Sequence, residues 1–103
     1  MPSYKIVFLE QAISEMSESV IYYNEKSPEL GFEFEEEVFH VVGLIKDNPS
    51  LFPIKFANIH EAIVARFPFV IVYEVVGLQI LVLAVFHIKR QPETKYKKNR
   101  KQR

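Results

Sequence analysis

Residues 69–88, FVIVYEVVGLQILVLAVFHI, form two nearly uninterrupted apolar runs separated by Gly77. Such runs on either side of a glycine predict a β-hairpin, with strands over residues 69–75 and 78–88 and a tight turn that only a permissive backbone allows. Strands that are apolar on both faces belong in the interior of a sheet. The rest of the chain must therefore arrange itself around a buried antiparallel pair. The second run stops at His87, Lys89 and Arg90, which places positive charge and a proton-transfer group at one end of a rigid scaffold.

Upstream, Tyr4, Ile6 and Phe8 alternate with Lys5 and Val7, predicting a half-buried first strand over residues 3–8. The period then changes. From Glu10 to about Lys26, Ile13, Met16, Val20 and Tyr23 recur on one stripe opposite Glu15, Glu18 and Glu25, the pattern of an amphipathic helix. Ser27 and Pro28 are expected to cap and open a second helix. That helix runs to about Asp47, carries Leu30, Phe34, Val38, Val41, Val42 and Ile45 at core spacing, and stops at Asn48-Pro49. Gly31 inside it calls for either a frayed first turn or a close helix contact.

Residues 53–56 and 59–67 supply two more strands, and Pro68 falls between strands, where its missing N–H does least harm. The order is β-α-α-β-β-β-β. It defines an α+β fold in which a helical hairpin packs on one side of a curved, mostly antiparallel sheet.

A chain of 103 residues has room for one domain, expected over residues 1–94 with a basic tail over 95–103. The absence of cysteine removes disulfides and thiolate sites, and the three histidines lack zinc-site spacing, so no metal and no cofactor are expected. MPSYKIVFLEQ has no cationic segment followed by a long apolar one, and the longest apolar run is too short to span a bilayer. A cytoplasmic protein away from membranes is the expectation. Its zero net charge conceals a segregation: residues 1–88 hold 5 Lys/Arg against 12 Asp/Glu, and residues 89–103 hold 8 against 1. An acidic or polyanionic partner suits the tail, and a basic partner suits the helices.

Several motifs occur in a fixed order: Ala12 with Tyr22-Tyr23 in the first helix, Ser27-Pro28, Asn48-Pro49, RFPFVIVYEV from Arg66, and VFHIKRQPETKY from Val85. Together they resemble the RelE/ParE superfamily of type II toxin–antitoxin toxins, on the ParE-like side, over roughly residues 3–96. The resemblance implies the fold order reached above. It also implies a small cytoplasmic toxin of the plasmid-stabilisation kind, neutralised by a cognate antitoxin.

The superfamily has two branches, gyrase poisons and ribosome-dependent mRNA endonucleases. Endonucleases need cations around a scissile phosphate and a group that moves the 2′-hydroxyl proton. The Arg that in those enzymes precedes the sheet Tyr by three places is matched here by Val70, before Tyr73, and the position of their Lys-x-Lys pair is held by Ala62, Ile63 and Val64. The resemblance thus favours a toxin that binds a protein target such as DNA gyrase. Action on the ribosome or mRNA, or a non-toxic degenerate member, are the alternatives.

Arg66 and Arg90 match family positions associated with the nuclease pocket, His87 stands where ParE-like chains commonly carry His and Tyr96 where they often carry Trp, and these four are the catalytic candidates. Lys89, Arg90, Lys95, Lys97 and Lys98 are the candidates for binding a target or antitoxin. Arg66 is equally suited to an ion pair with an acidic residue such as Glu61 or Glu74, and His87 to a hydrogen bond at a strand end. Tyr22, Tyr23 and Phe39 suit a core or helix–helix contact better than a base-stacking platform, and Glu33, Glu35, Glu36 and Glu37 suit a solvated face.

Overall fold

The computed structural model describes residues 3–89, in the order β1 (Lys5–Phe8), α1 (Glu10–Lys26), α2 (Leu30–Asp47), β2 (Ile54–Phe56), β3 (Ile59–Ile63), β4 (Phe69–Val76) and β5 (Gln79–His87). One five-stranded sheet runs β1-β5-β4-β3-β2, so the apolar hairpin occupies the middle, as its two-faced hydrophobicity requires. Every neighbouring pair is antiparallel except β1 with β5, which are parallel. The expected α+β architecture is the one observed. Gly77 turns the β4–β5 hairpin at φ 60°, in the left-handed region.

The two helices cover one sheet face. Phe34, Val38 and Ile45 of α2 pack with Ala12 and Met16 of α1 against Phe69, Ile71 and Tyr73 of β4 and Ile80, Val82 and Val85 of β5. At one end, aromatic rings interlock: Phe34 lies 4.6 Å from Phe69, and Tyr23 lies 5.1 Å from Phe67 and 5.3 Å from Phe34. Tyr23 is thus a core contact. Tyr22 and Phe39 are half-exposed, Tyr22 beneath the Lys26 ammonium and Phe39 edge-on to Phe8.

A β-bulge adjusts the middle of the sheet. Val72 pairs with Ala84 but Tyr73 pairs with Val82, leaving Leu83 as the extra residue. The bulge lets Val82 and Val85, three apart, both face the helices. β1 accompanies β5 only as far as Phe8 beside Val82. Beyond that point α1 lies along β5, and because a helix has no outward main-chain groups to offer, a side chain substitutes: the Glu15 carboxylate accepts the Val85 N–H at 2.7 Å.

Several local expectations are corrected. α1 buries Ala12, Met16 and Ser19, whereas Ile13 is 52% exposed and Glu15 points inward. Small side chains at Ala12 and Ser19 let the helix sit close to β5, which rotates the apolar stripe outward by one position. Ser27 does not N-cap the second helix; its backbone N–H closes α1 on Tyr23, and α2 begins at Leu30 after Glu29 adopts φ 69°. The reversal brings α2 against α1, where Asn24 Oδ1 receives the Gly31 N–H at 2.8 Å. Gly31 marks a close helix contact: a Cβ there would lie 2.4 Å from the Val20 carbonyl oxygen. β3 stops at Ile63, and residues 64–68 form the link to β4.

Candidate functional site

Three features of the surface carry chemistry. The first is the end of β5. His87 is half-buried, with its ring 5.2 Å from Phe69, and its Nδ1 accepts the Lys89 N–H at 3.1 Å, which leaves the proton of the neutral ring on Nε2. It lines a polar slot of about 80 Å³ between α1 and β5 together with Glu15, Glu18 and Ser19. His87 therefore sits with carboxylates on the helix side, while Lys89 is exposed beyond the strand end. Arg90, Lys95, Tyr96, Lys97 and Lys98 lie outside the described residues.

Arg66 is held elsewhere. In the link between β3 and β4 its guanidinium donates to Glu33 at 2.9 Å and lies 3.6 Å from Glu37, both on α2. This corrects the expected partners Glu61 and Glu74, and takes Glu33 and Glu37 out of a merely solvated face. The hydrogen bond to Glu33 raises the Arg66 pKa, with the charges of Glu33 and Glu37 adding to it. Arg66 lines neither the His87 slot nor either of the two grooves described next.

The second feature is a groove of about 550 Å³ on the sheet face opposite the helices, lined by Phe52, Pro53, Lys55, Glu61, Ile63, Val70, Phe86 and Ile88. Val70 and Phe86 are cross-strand partners and belong with Val72 and Ala84 to a second apolar cluster. Val70, at the position that the resemblance matches to an Arg of nucleolytic toxins, is thus part of an apolar lining.

The third feature is a groove of similar volume, about 550 Å³, beside the helical hairpin. Phe8 of β1, Ile13, Met16, Val20 and Ile21 of α1, and Phe39 of α2 give it apolar walls, and Glu35 and Ser17 stand at its margin. Ile13, Ile21 and Phe39 are each at least half exposed. Sequence periodicity assigned Ile13 to the core, and only the rotation of α1 reveals it as surface.

His60 stacks on Tyr73 with ring centroids 4.7 Å apart and donates from Nδ1 to the Phe52 carbonyl at 2.8 Å. Among the described residues no cluster of three His, Cys, Asp or Glu could hold a metal ion, and no helix is long and apolar enough to cross a membrane.

No family model matches the chain, and no curated protein matches it in sequence. Nine solved chains match it in structure. One of them comes from a structure of the chromosomal ParDE TA system from P. aeruginosa, with a TM-score of 0.74 at 15% identity over 82% of this chain and 96% of that one. The fold is of the ParE/RelE kind that the motifs implied.

Proposed function

We propose that this protein is the toxin of a type II toxin–antitoxin pair of the ParE-like branch, silenced when an antitoxin segment lies in the groove beside the helical hairpin. The observation that carries this reading is the fold shared with a ParDE-system chain, joined to an apolar groove of about 550 Å³ between β1, α1 and α2. An amphipathic segment placing apolar side chains against Ile13, Ile21 and Phe39 would bury them, and the adjacent outer edge of β1 offers main-chain groups to an added strand.

The target in this reading is a protein, DNA gyrase, engaged through Lys89 and the basic residues Arg90, Lys95, Lys97 and Lys98. Plasmid stabilisation and a cytoplasmic location go with that role, in a domain of residues 1–94 followed by the tail. The apolar lining at Val70, Phe86 and Ile63 supports a binding mode over phosphodiester cleavage, which requires cations around the developing charge. The engagement of Arg66 by Glu33 and Glu37 supports the same choice.

The test is expression with and without the neighbouring gene product, followed by a gyrase supercoiling assay. Inhibition relieved by the neighbour is expected, and Ile21→Glu with Phe39→Glu should weaken capture by the neighbour while leaving inhibition intact. Normal supercoiling at saturating protein removes the gyrase target. Codon-phased cleavage of translated messages, lost in His87→Ala or Arg90→Ala, would instead establish the endonuclease alternative.

A further inference from the structure

The slot between α1 and β5 contains one polar group that packing does not explain. Ser19 is only 5% exposed and lines the slot, yet among the described residues its hydroxyl has no hydrogen-bond partner. No side-chain oxygen or nitrogen among the described residues is both sealed from solvent and unpaired, so the Ser19 Oγ opens into the slot. The close approach of α1 to β5 asks only for a small residue at this position. Alanine would meet that need with a better helix propensity and no polar atom to satisfy.

Glu18 stands beside Ser19 in the slot, exposed and without an ion pair among the described residues. Glu15 adds a second carboxylate, although its oxygens already receive the Val85 N–H and the Gln11 amide. The remaining walls include the rings of His87, Phe69 and Phe86. Carboxylates, a hydroxyl and aromatic rings together select a cation. A volume of about 80 Å³ lies far below the roughly 300 Å³ at which small-molecule sites begin, so the slot takes a head group and leaves the rest of its ligand outside. A guanidinium suits it better than an ammonium, being planar, weakly hydrated, able to fork onto a carboxylate and able to stack on a ring.

We propose that the slot receives the guanidinium of an arginine on a partner protein, with Glu18 and the Ser19 hydroxyl as acceptors and the His87 ring as a stacking face. The partner's backbone follows α1. Glu25, also exposed, continues the same helix face seven residues beyond Glu18, about 10 Å along the axis. Two arginines three positions apart in an extended segment span about the same distance. Ile13, Met16, Ser17, Val20 and Ile21 place the antitoxin groove on the other flank of α1, so the arginine site is separate from that groove and does not depend on the toxin reading.

The test is an NMR titration of the nitrogen-15-labelled full chain at about pH 8, where an ordinary histidine is neutral. The probes are N-acetyl-arginine amide, its uncharged analogue N-acetyl-citrulline amide, and acetyl-Arg-Ser-Ser-Arg-amide. Saturable shifts at the Ser19, Val85 and His87 amides are expected with the arginine probe and not with citrulline. Ser19→Ala, which keeps a small residue against β5, and Glu18→Gln should each weaken binding by about tenfold. The two-arginine peptide should bind up to about fivefold more tightly than the single amide, and Glu25→Gln should abolish that gain. Absence of shifts at the slot, equal shifts with citrulline, or affinity unchanged in both Ser19→Ala and Glu18→Gln would each overturn the site. A peptide that binds no more tightly than the amide would overturn the assignment to a partner protein and point to a small guanidino compound.

Discussion

Glu15 and Val85, far apart in sequence, meet where the sheet loses its edge partner: the Glu15 carboxylate accepts the Val85 backbone N–H at 2.7 Å while its other oxygen receives Gln11 at 3.2 Å. Hydrogen bonds to a charged acceptor contribute about 1.5–3 kcal/mol, and a buried donor left unsatisfied costs a similar amount. Glu15→Ala should therefore destabilise the protein by about 2 kcal/mol. Glu15→Gln, which keeps an acceptor oxygen, should lose clearly less. Urea unfolding of the three chains measures the difference, and equal midpoints would show that the bond contributes nothing.

Two helix glycines should respond with opposite signs to the same substitution. Alanine ordinarily stabilises a helix interior over glycine by about 1 kcal/mol, and Gly43, with nothing within 4 Å of a built Cβ, should show that gain. Gly31→Ala should instead cost about 1–3 kcal/mol, the usual penalty of overpacking, because the new methyl meets the Val20 carbonyl, a main-chain atom that cannot swing aside. Thermal midpoints of both variants, compared with the parent, decide it.

Tyr73 makes stability fall in alkali. Its ring is fully buried and its hydroxyl donates to the Pro49 carbonyl at 2.8 Å. Burial raises its pKa above the ordinary phenol value, against a smaller opposing effect from the Phe52 backbone. Between about pH 10 and that raised value the unfolded chain has released the proton and the folded chain still holds it. Stability therefore declines as pH rises through this window, and the contribution is fully present below it. Tyr73→Phe should cost about 0.5–1.5 kcal/mol at neutral pH and flatten the alkaline decline in a plot of unfolding free energy against pH.

Glu29 opens α2 in a left-handed conformation, φ 69°, which disfavours a residue bearing a Cβ by about 1–2 kcal/mol. Its carbonyl, not its side chain, serves the helix by accepting the Glu33 N–H at 3.0 Å. Glu29→Gly should raise stability by about 1 kcal/mol, read as a higher denaturant midpoint with an unchanged slope. A lower midpoint would show that the Glu29 side chain has a role beyond the turn.

What the sequence revealed and what it concealed divide along physical lines. The central hairpin was readable because strands apolar on both faces can only sit inside a sheet, and its turn carries Gly77. The bulge at Leu83 was not, since one extra residue in an apolar run leaves no compositional trace although it changes which valines face the core. Ser-Pro is the same signal whether it closes one helix or opens the next; the choice was made by Asn24, which reaches the start of α2 only once the helices are side by side. The acidic partners of Arg66 depend likewise on where α2 passes the end of β3. Ile13, Ile21 and Phe39 have the composition of a core, and tertiary rotation alone makes them the wall of a groove.

The pairing of β1 with β5 has a consequence for biosynthesis. Lys5 is the partner of Gln79, so β1, made before β5, has no place in the sheet until β5 has emerged. The helical hairpin that follows β1 is likewise without the sheet it covers until β4 and β5 arrive. Contacts between distant parts of a chain delay folding until both partners exist. The finished sheet, and any binding surface framed by β1 and β5, is therefore withheld until β5 has been made, and a chain truncated before β5 would lack the central strand required to assemble it.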